Sequence, residues 1–185
     1  MFIVLEGIDG CGKSTHARLL ADWLRGKGKD VLLSAEPTDG PIGKLVREVL
    51  SGKIELHPRT LALLFTADRM EHVLQIRAAK EEGWFVVCER YYYSTVAYQS
   101  AQGVERDWLL GINKYALKPD LVIFLDVDPA TGATRTSTGE IFEKEDFLRK
   151  VLTEYKKFRK MTTVDSSRPQ DVVQADIRGI VEKLL

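Results

Sequence analysis

Residues 6–15 restrict the fold of this chain more than any other segment. They read Glu6, Gly7, Ile8, Asp9, Gly10, Cys11, Gly12, Lys13, Ser14, Thr15, so Gly7, Gly12, Lys13 and Ser14 fill the spacing G-x-x-x-x-G-K-[ST]. Met1 to Leu5 before it is a continuous apolar run of buried-strand type, and apolar residues recur at helical spacing from Ser14 to Arg25. A strand, a glycine-rich loop and a helix in that order form a cradle whose backbone N–H groups wrap a phosphate. Lys13 then reaches the outer phosphates of a nucleoside triphosphate, and the Ser14 hydroxyl is placed for Mg²⁺. We assign Gly7, Ile8, Asp9, Gly10, Cys11, Gly12, Lys13, Ser14 and Thr15 to that donor nucleotide.

The remaining chain repeats the alternation. Strand-like runs fall at Phe2 to Leu5, Val31 to Ser34, Phe85 to Cys88, Leu121 to Leu125 and, weakly, Thr163 to Asp165. Between them the pattern predicts helices over Ile42 to Leu50, from Pro58 to near Gly83, Ser94 to Gln99, Trp108 to Ala116, Glu143 to Lys160 and Pro169 to Leu184. Pro129 opens a further helix, and the small polar stretch Thr131 to Gly139 reads as a loop lying over something. Such alternation implies right-handed βαβ units, a five-stranded parallel sheet and a three-layer α/β fold. Ligands of such sheets bind at the carboxyl ends of the strands. Those ends carry Glu6 to Asp9, Glu36 and Pro37, Glu89 and Arg90, and Asp126 to Asp128.

The chain of 185 residues is long enough for one domain, 1–185, with its own core. Lys plus Arg and Asp plus Glu number 27 each, a formal net charge of zero that argues against nucleic-acid binding through bulk charge. Cys11 and Cys88 lack metal-ligand spacing and read as free thiols of a reducing cytoplasm. No apolar run approaches a membrane span, and the first residues enter a strand without a leader pattern. His16, His57 and His72 show neither triad nor metal spacing and read as structural or exposed.

Four further segments carry polar chemistry beside the loop. They are Asp9 within it; Glu36-Pro37-Thr38 with Gly40, Ile42 and Gly43, followed by Arg47; Leu64-Phe65 with Ala67-Asp68-Arg69 and His72; and Arg90-Tyr91 with Ser94, Ala97, Tyr98 and Gln99. In order and interval, and together with Phe124 to Pro129, they resemble the thymidylate kinases, which phosphorylate dTMP with ATP. The resemblance implies a P-loop NTPase-type fold with a short lid at about 131–142, a homodimer through the long helices after Pro58 and Ser94, and a Mg²⁺-dependent reaction. It also implies that Asp9 accepts the sugar 3′-hydroxyl and that Tyr98 and Gln99 line sugar and base.

The residue types suit those roles. Phe65 offers a flat apolar surface to a base and Arg69, one helical turn on, a polar edge contact, although each alone fits a core or ion-paired position equally well. Arg90 suits an acceptor phosphate, with Arg47 as second candidate. The substrate set is therefore Asp9, Glu36, Pro37, Arg47, Phe65, Arg69, Arg90, Ser94, Tyr98 and Gln99, the metal set Ser14 and Glu89, and the catalytic set Lys13, Arg90, Arg135 and Asp9.

Two departures stand out. Glu89 occupies the position where the family usually has Asp, and the lid segment reads Glu140-Ile141-Phe142-Glu143, with Arg135 the sole basic residue between Pro129 and Phe142. Gly10 gives the loop no arginine of its own. Phosphoryl transfer depends on neutralising charge at the moving group, so Arg135 is expected to close over it. Another P-loop nucleotide kinase, or a nucleotide-binding protein with weak turnover, is the alternative reading.

Overall fold

A computed structural model describes residues 1–135, 142 and 144–185. Among them five strands alternate with helices: β1 (Phe2–Glu6), α1 (Lys13–Gly26), β2 (Val31–Ala35), α2 (Pro41–Leu50), α3 (Pro58–Glu81), β3 (Phe85–Glu89), α4 (Tyr92–Ala101), α5 (Arg106–Ile112), β4 (Leu121–Asp126), α6 (Pro129–Arg135), α7 (Glu145–Tyr155), β5 (Thr162–Asp165) and α8 (Gln170–Glu182). The strands form one parallel sheet in the order β2-β3-β1-β4-β5. The α/β architecture predicted from the alternation is the one observed.

The alternation of side chains along β1 separates the layers. Ile3 and Leu5 pack with Leu20 and Leu24 of α1 and Ile177 of α8, while Phe2 and Val4 pack with Val73 and Ile76 of α3. Burial of both faces of the central strand accounts for its uninterrupted apolar run. Cys88 is a core residue of the second cluster, and Cys11 is buried in the first.

Several boundaries differ from the sequence expectation, each for a local reason. Thr131 to Arg135 is not loop but the body of α6, which Asp128 initiates by accepting from the Ala130 N–H at 2.9 Å. α5 begins at Arg106 and stops at Ile112 because the Asn113 side chain donates to the Leu109 carbonyl at 2.8 Å, capping the helix well before Ala116. α4 begins earlier, at Tyr92, because the Glu6 carboxylate takes up its first N–H groups. α7 is shorter than Glu143 to Lys160: it starts at Glu145 and ends at Tyr155, after which Phe158 turns back against Tyr93. Residues 136–141 of the expected lid, and Glu143 at the start of the expected following helix, lie outside the described residues.

Candidate active site

The phosphate loop follows β1 at the centre of the sheet. Gly12, at φ 91°, is the N-cap of α1, and Gly10, at φ 77°, also takes a left-handed conformation that residues with a Cβ adopt at a cost. Lys13 folds over the loop, its Nζ donating to the Ile8 carbonyl at 2.8 Å and to Cys11 Sγ at 3.6 Å. Thr15 lies exposed in the first turn of α1. The loop is thus closed around its own lysine, with the α1 N-terminus behind it.

On the β2 and β3 side of this loop lies a cavity of about 220 Å³. All ten residues of the predicted substrate set line it: Asp9, Glu36, Pro37, Arg47, Phe65, Arg69, Arg90, Ser94, Tyr98 and Gln99. They come from the ends of β1, β2 and β3 and from α2, α3 and α4, so the fold gathers residues spread over 90 positions of sequence. The wall also contains Leu50, Glu89, Tyr91, Thr95 and Phe142.

One wall is a buried ion-pair network. Arg69, 1 % exposed, donates from Nε to Glu36 Oε2 at 2.8 Å, and its Nη2 lies 2.6 Å from the same oxygen. Nη1 donates to Asn113 Oδ1 at 2.6 Å and Nη2 to Thr95 Oγ1 at 3.1 Å, while the guanidinium lies 5.2 Å from the centroid of the Tyr91 ring. The three hydrogen bonds of Arg69 leave one N–H on Nη1 without a hydrogen-bond partner. His72 stands behind Glu36, with Nδ1 3.0 Å from Oε1 and Nε2 3.0 Å from Ser34 Oγ. The neighbouring Asp68 accepts from the Thr38 N–H at 2.7 Å and hydroxyl at 2.6 Å. Asp68 and Arg69 therefore hold the two ends of Glu36-Pro37-Thr38. Arg47 grips the carbonyls of Pro37, at 2.6 Å, and Thr38.

The opposite wall carries the second charged pair. Arg90 has φ 64°, in the left-handed region, and is held there by its N–H to Leu5 O at 2.9 Å and by Cys88 Sγ on its carbonyl at 3.1 Å. Its Nη2 pairs with Asp9 Oδ1 and its Nη1 donates to Ser94 Oγ at 3.1 Å; the Tyr98 hydroxyl donates to Asp9 Oδ2 at 2.7 Å. Burial alone would raise the Asp9 pKa, but the charges of Arg90 and Lys13 and the hydrogen bonds of Tyr98 and Arg90 hold it below its ordinary value. Burial would likewise lower the Arg90 pKa, and Asp9 together with Tyr98, Tyr155 and Glu89 outweighs it, keeping the guanidinium charged.

Between loop and cavity, Ser14 donates to Glu89 Oε1 at 2.9 Å. The longer side chain of Glu89 thus reaches the loop hydroxyl from the end of β3. One hydroxyl and one carboxylate oxygen side by side suit a hard divalent cation that completes its shell with water and substrate phosphate. Among the described residues no group of three or more His, Cys, Asp or Glu is arranged for a metal ion, so a site closed by protein ligands alone is not what this arrangement resembles.

Arg135 stands apart from the cavity. Its Nη1 reaches the Ser166 carbonyl, 3.4 Å away in the β5–α8 connection, on the far side of β1 from the acceptor wall. Sequence reasoning missed Thr95, Asn113 and Glu6, whose polarity at buried helix and strand positions was the available signal. It left Tyr91 out of the site and read His72 as structural or exposed; both are buried, Tyr91 against the Arg69 guanidinium and His72 behind Glu36.

Comparison with known proteins fits this geometry. The family model for thymidylate kinase matches residues 5–177. Over 155 residues the chain is 50 % identical to a probable thymidylate kinase of Methanocaldococcus jannaschii, covering 84 % of this chain and 79 % of that one. It is 41 % identical to a probable thymidylate kinase of Thermococcus kodakarensis, covering 100 % and 98 %. Among solved structures, thymidylate kinase from Candida albicans superposes with a TM-score of 0.87 at 32 % identity, covering 98 % of this chain and 91 % of that one.

Proposed function

The chain belongs to the thymidylate kinase family, and from that membership we infer that it transfers the γ-phosphoryl group of ATP to dTMP, giving dTDP and ADP. The observation that most favours a thymine acceptor is the polar lining of the cavity. Gln99 is fully buried with Oε1 lacking a hydrogen-bond partner, and Arg69 retains one N–H. An acceptor and a donor beside Phe65 complement the imide N–H and carbonyl of thymine, and a buried acceptor left unpaired favours a ligand that supplies the missing donor.

The chain's own residues account for the chemistry by positioning and charge. The acceptor phosphate is already ionised at neutral pH, so no protein base is required. Arg90 would hold it through two N–H groups, and Asp9, ionised and fixed by Arg90 and Tyr98, would accept the sugar 3′-hydroxyl. Lys13 would leave its contacts with Ile8 and Cys11 to meet the β- and γ-phosphates. Ser14 and Glu89 would hold Mg²⁺, which when bound neutralises charge on the phosphates. With the acceptor on the β2 and β3 side of the loop, the donor base extends toward β4 and β5, where Arg135 and Ser166 meet. We therefore assign Arg135 to the donor nucleotide, and of this chain's own residues Lys13 and Arg90 would face the transferred group.

The chain would act as one domain, 1–185, with a lid over about 131–142, in the cytoplasm and as a homodimer. Among the described residues no helix is long and apolar enough to cross a membrane. Steady-state assays with ATP and dTMP, dUMP, dGMP, AMP and CMP test the function: dTMP should be preferred, and indifference to the base refutes the assignment. Replacing Phe65 or Arg69 should raise KM for dTMP; unchanged KM in both variants refutes the base pocket.

A further inference from the structure

Glu6, the last residue of β1, is completely buried, yet no role in binding either nucleotide falls to it. Four donors converge on its carboxylate. Oε1 accepts from the N–H groups of Tyr91 at 2.8 Å and Ser94 at 3.3 Å; Oε2 accepts from Ser94 Oγ at 2.6 Å and the Tyr155 hydroxyl at 2.8 Å. Tyr91 is the N-cap of α4 and makes no side-chain cap of its own. The strand residue therefore caps the helix from outside, supplying an anion where the helix exposes its first N–H groups.

The arrangement goes further than a cap. Ser94 Oγ lies 2.6 Å from Glu6 Oε2 and 2.7 Å from the Tyr155 hydroxyl; a hydroxyl has one proton, and with the Ser94 proton on the Glu6 carboxylate its lone pairs face Arg90 Nη1 at 3.1 Å. The other arm of that guanidinium is fixed by Asp9. Arg90 follows β3 in a left-handed conformation, one residue before the cap of α4, so its backbone and its side chain are both anchored by groups that Glu6 holds. Tyr155, which also reaches the Gly7 carbonyl at 3.4 Å, ends α7. One buried carboxylate thus joins the loop's strand, the arginine of the acceptor wall and the helix that follows the lid.

We propose that Glu6 is a positioning residue for phosphoryl transfer: through Ser94 it fixes the Arg90 guanidinium against the acceptor phosphate and ties that clamp to α7 through Tyr155. The proposal rests on the assignment of Arg90 to the acceptor phosphate. Burial opposes ionisation of Glu6 and raises its pKa, and the hydrogen bonds of Ser94, Tyr155 and Tyr91 with the nearby charge of Arg90 counter it. A carboxylate is retained there although an apolar residue would pack without that cost.

Replacement of Glu6 by Gln preserves shape but places an amide donor among four donors. The test is a double-mutant cycle of Glu6→Gln and Arg90→Met, with KM for dTMP, KM for ATP and kcat measured in each enzyme. In E6Q, kcat/KM for dTMP should fall about tenfold or more, the scale of a hydrogen bond to a charged group, while KM for ATP changes by less than about twofold. In the Arg90→Met background, Glu6→Gln should add less than about a further twofold, because residues acting through one another are not additive. Additive losses, or an E6Q enzyme whose only defect is a smaller folded fraction with both KM values unchanged, overturn the proposal. Should E6Q not fold, Tyr155→Phe decides, since it removes one donor from Oε2 and leaves the helix cap intact: a raised KM for dTMP with unchanged KM for ATP supports the role, and two unchanged values overturn it. Wild-type protein without activity toward dTMP refutes the function itself; an active wild type with an additive cycle refutes the role of Glu6 alone.

Discussion

Gly10 and Gly132 meet without room for a side chain on either: a Cβ on Gly10 would stand 2.1 Å from the Gly132 carbonyl oxygen, and one on Gly132 would stand 2.7 Å from the Asp9 carbonyl oxygen. The glycine of the phosphate loop is thus the seat of α6, the helix that leads into the lid. From sequence alone Gly10 signifies a missing arginine, whereas its structural reason is the approach of another backbone.

Gly132→Ala is therefore expected to displace α6 or the loop. Because misplacement by about 1 Å can cost up to about a hundredfold, kcat/KM for ATP should fall at least about tenfold. Gly26→Ala is the control, since nothing lies within 4 Å of its Cβ position and its φ is not positive. Steady-state kinetics of the two variants check this; equal activity would show that the contact relaxes without consequence.

The Glu36–Arg69 pair makes a second prediction. Both side chains are almost wholly enclosed, so Glu36→Ala leaves a guanidinium buried without its counter-charge. Breaking a buried pair from one side costs about 3–5 kcal/mol, which for a chain of this size lowers Tm by roughly 10 °C. Calorimetry should find that loss. Glu105→Ala, which breaks an exposed pair with Arg59, should leave Tm nearly unchanged.

These two sites mark what the sequence reveals and what it hides. The sheet and its order of helices were legible because buried parallel strands read as apolar runs and helices as a 3.6-residue period. The acceptor wall was legible because its residues sit at strand ends and on one helix face, Phe65 and Arg69 being four residues apart. Support for that wall was not legible. Nothing local in sequence links Glu6 to Ser94, 88 positions on, or Arg69 to Asn113, 44 positions on; such pairs are created by the crossover connections. Arg135 was read by its charge alone, and its position on the β5 side follows from the continuation of the helix opened by Pro129, which the small polar composition of Thr131 to Arg135 concealed.

Acid should weaken the site in a defined window. The folded-state pKa of Asp9 lies below the ordinary aspartate value of 3.8, so the unfolded chain takes up this proton first as pH falls. The stabilisation is fully present above about pH 4 and is lost as pH drops through the folded value. In Asp9→Asn this contribution is missing at every pH. The stability difference between wild type and variant, read from urea midpoints, should therefore be constant from pH 5 to 7 and shrink below pH 4. A difference that grows toward acid would contradict the ion pair with Arg90.

The long helix α3 presents a face that the protomer leaves uncovered. Leu63 and Leu74 are exposed at 49 % and 61 %, and the half-buried Ala67 and Met70 fall between them on the same helical side. Apolar residues at 63, 67, 70 and 74 have the spacing of a helix seam. α4, the other helix considered for an interface, is buried from Ser94 to Gln99 within the protomer and offers little surface. Pairing of two α3 helices across this stripe would bury the remaining exposed half of both leucines, about 1 kcal/mol each. Sedimentation velocity should find a dimer for wild type and a monomer for Leu63→Glu/Leu74→Glu, with kcat changed by less than about threefold because the cavity is lined within one protomer. A monomeric wild type, or a dimer that survives both charges, would remove α3 as the interface.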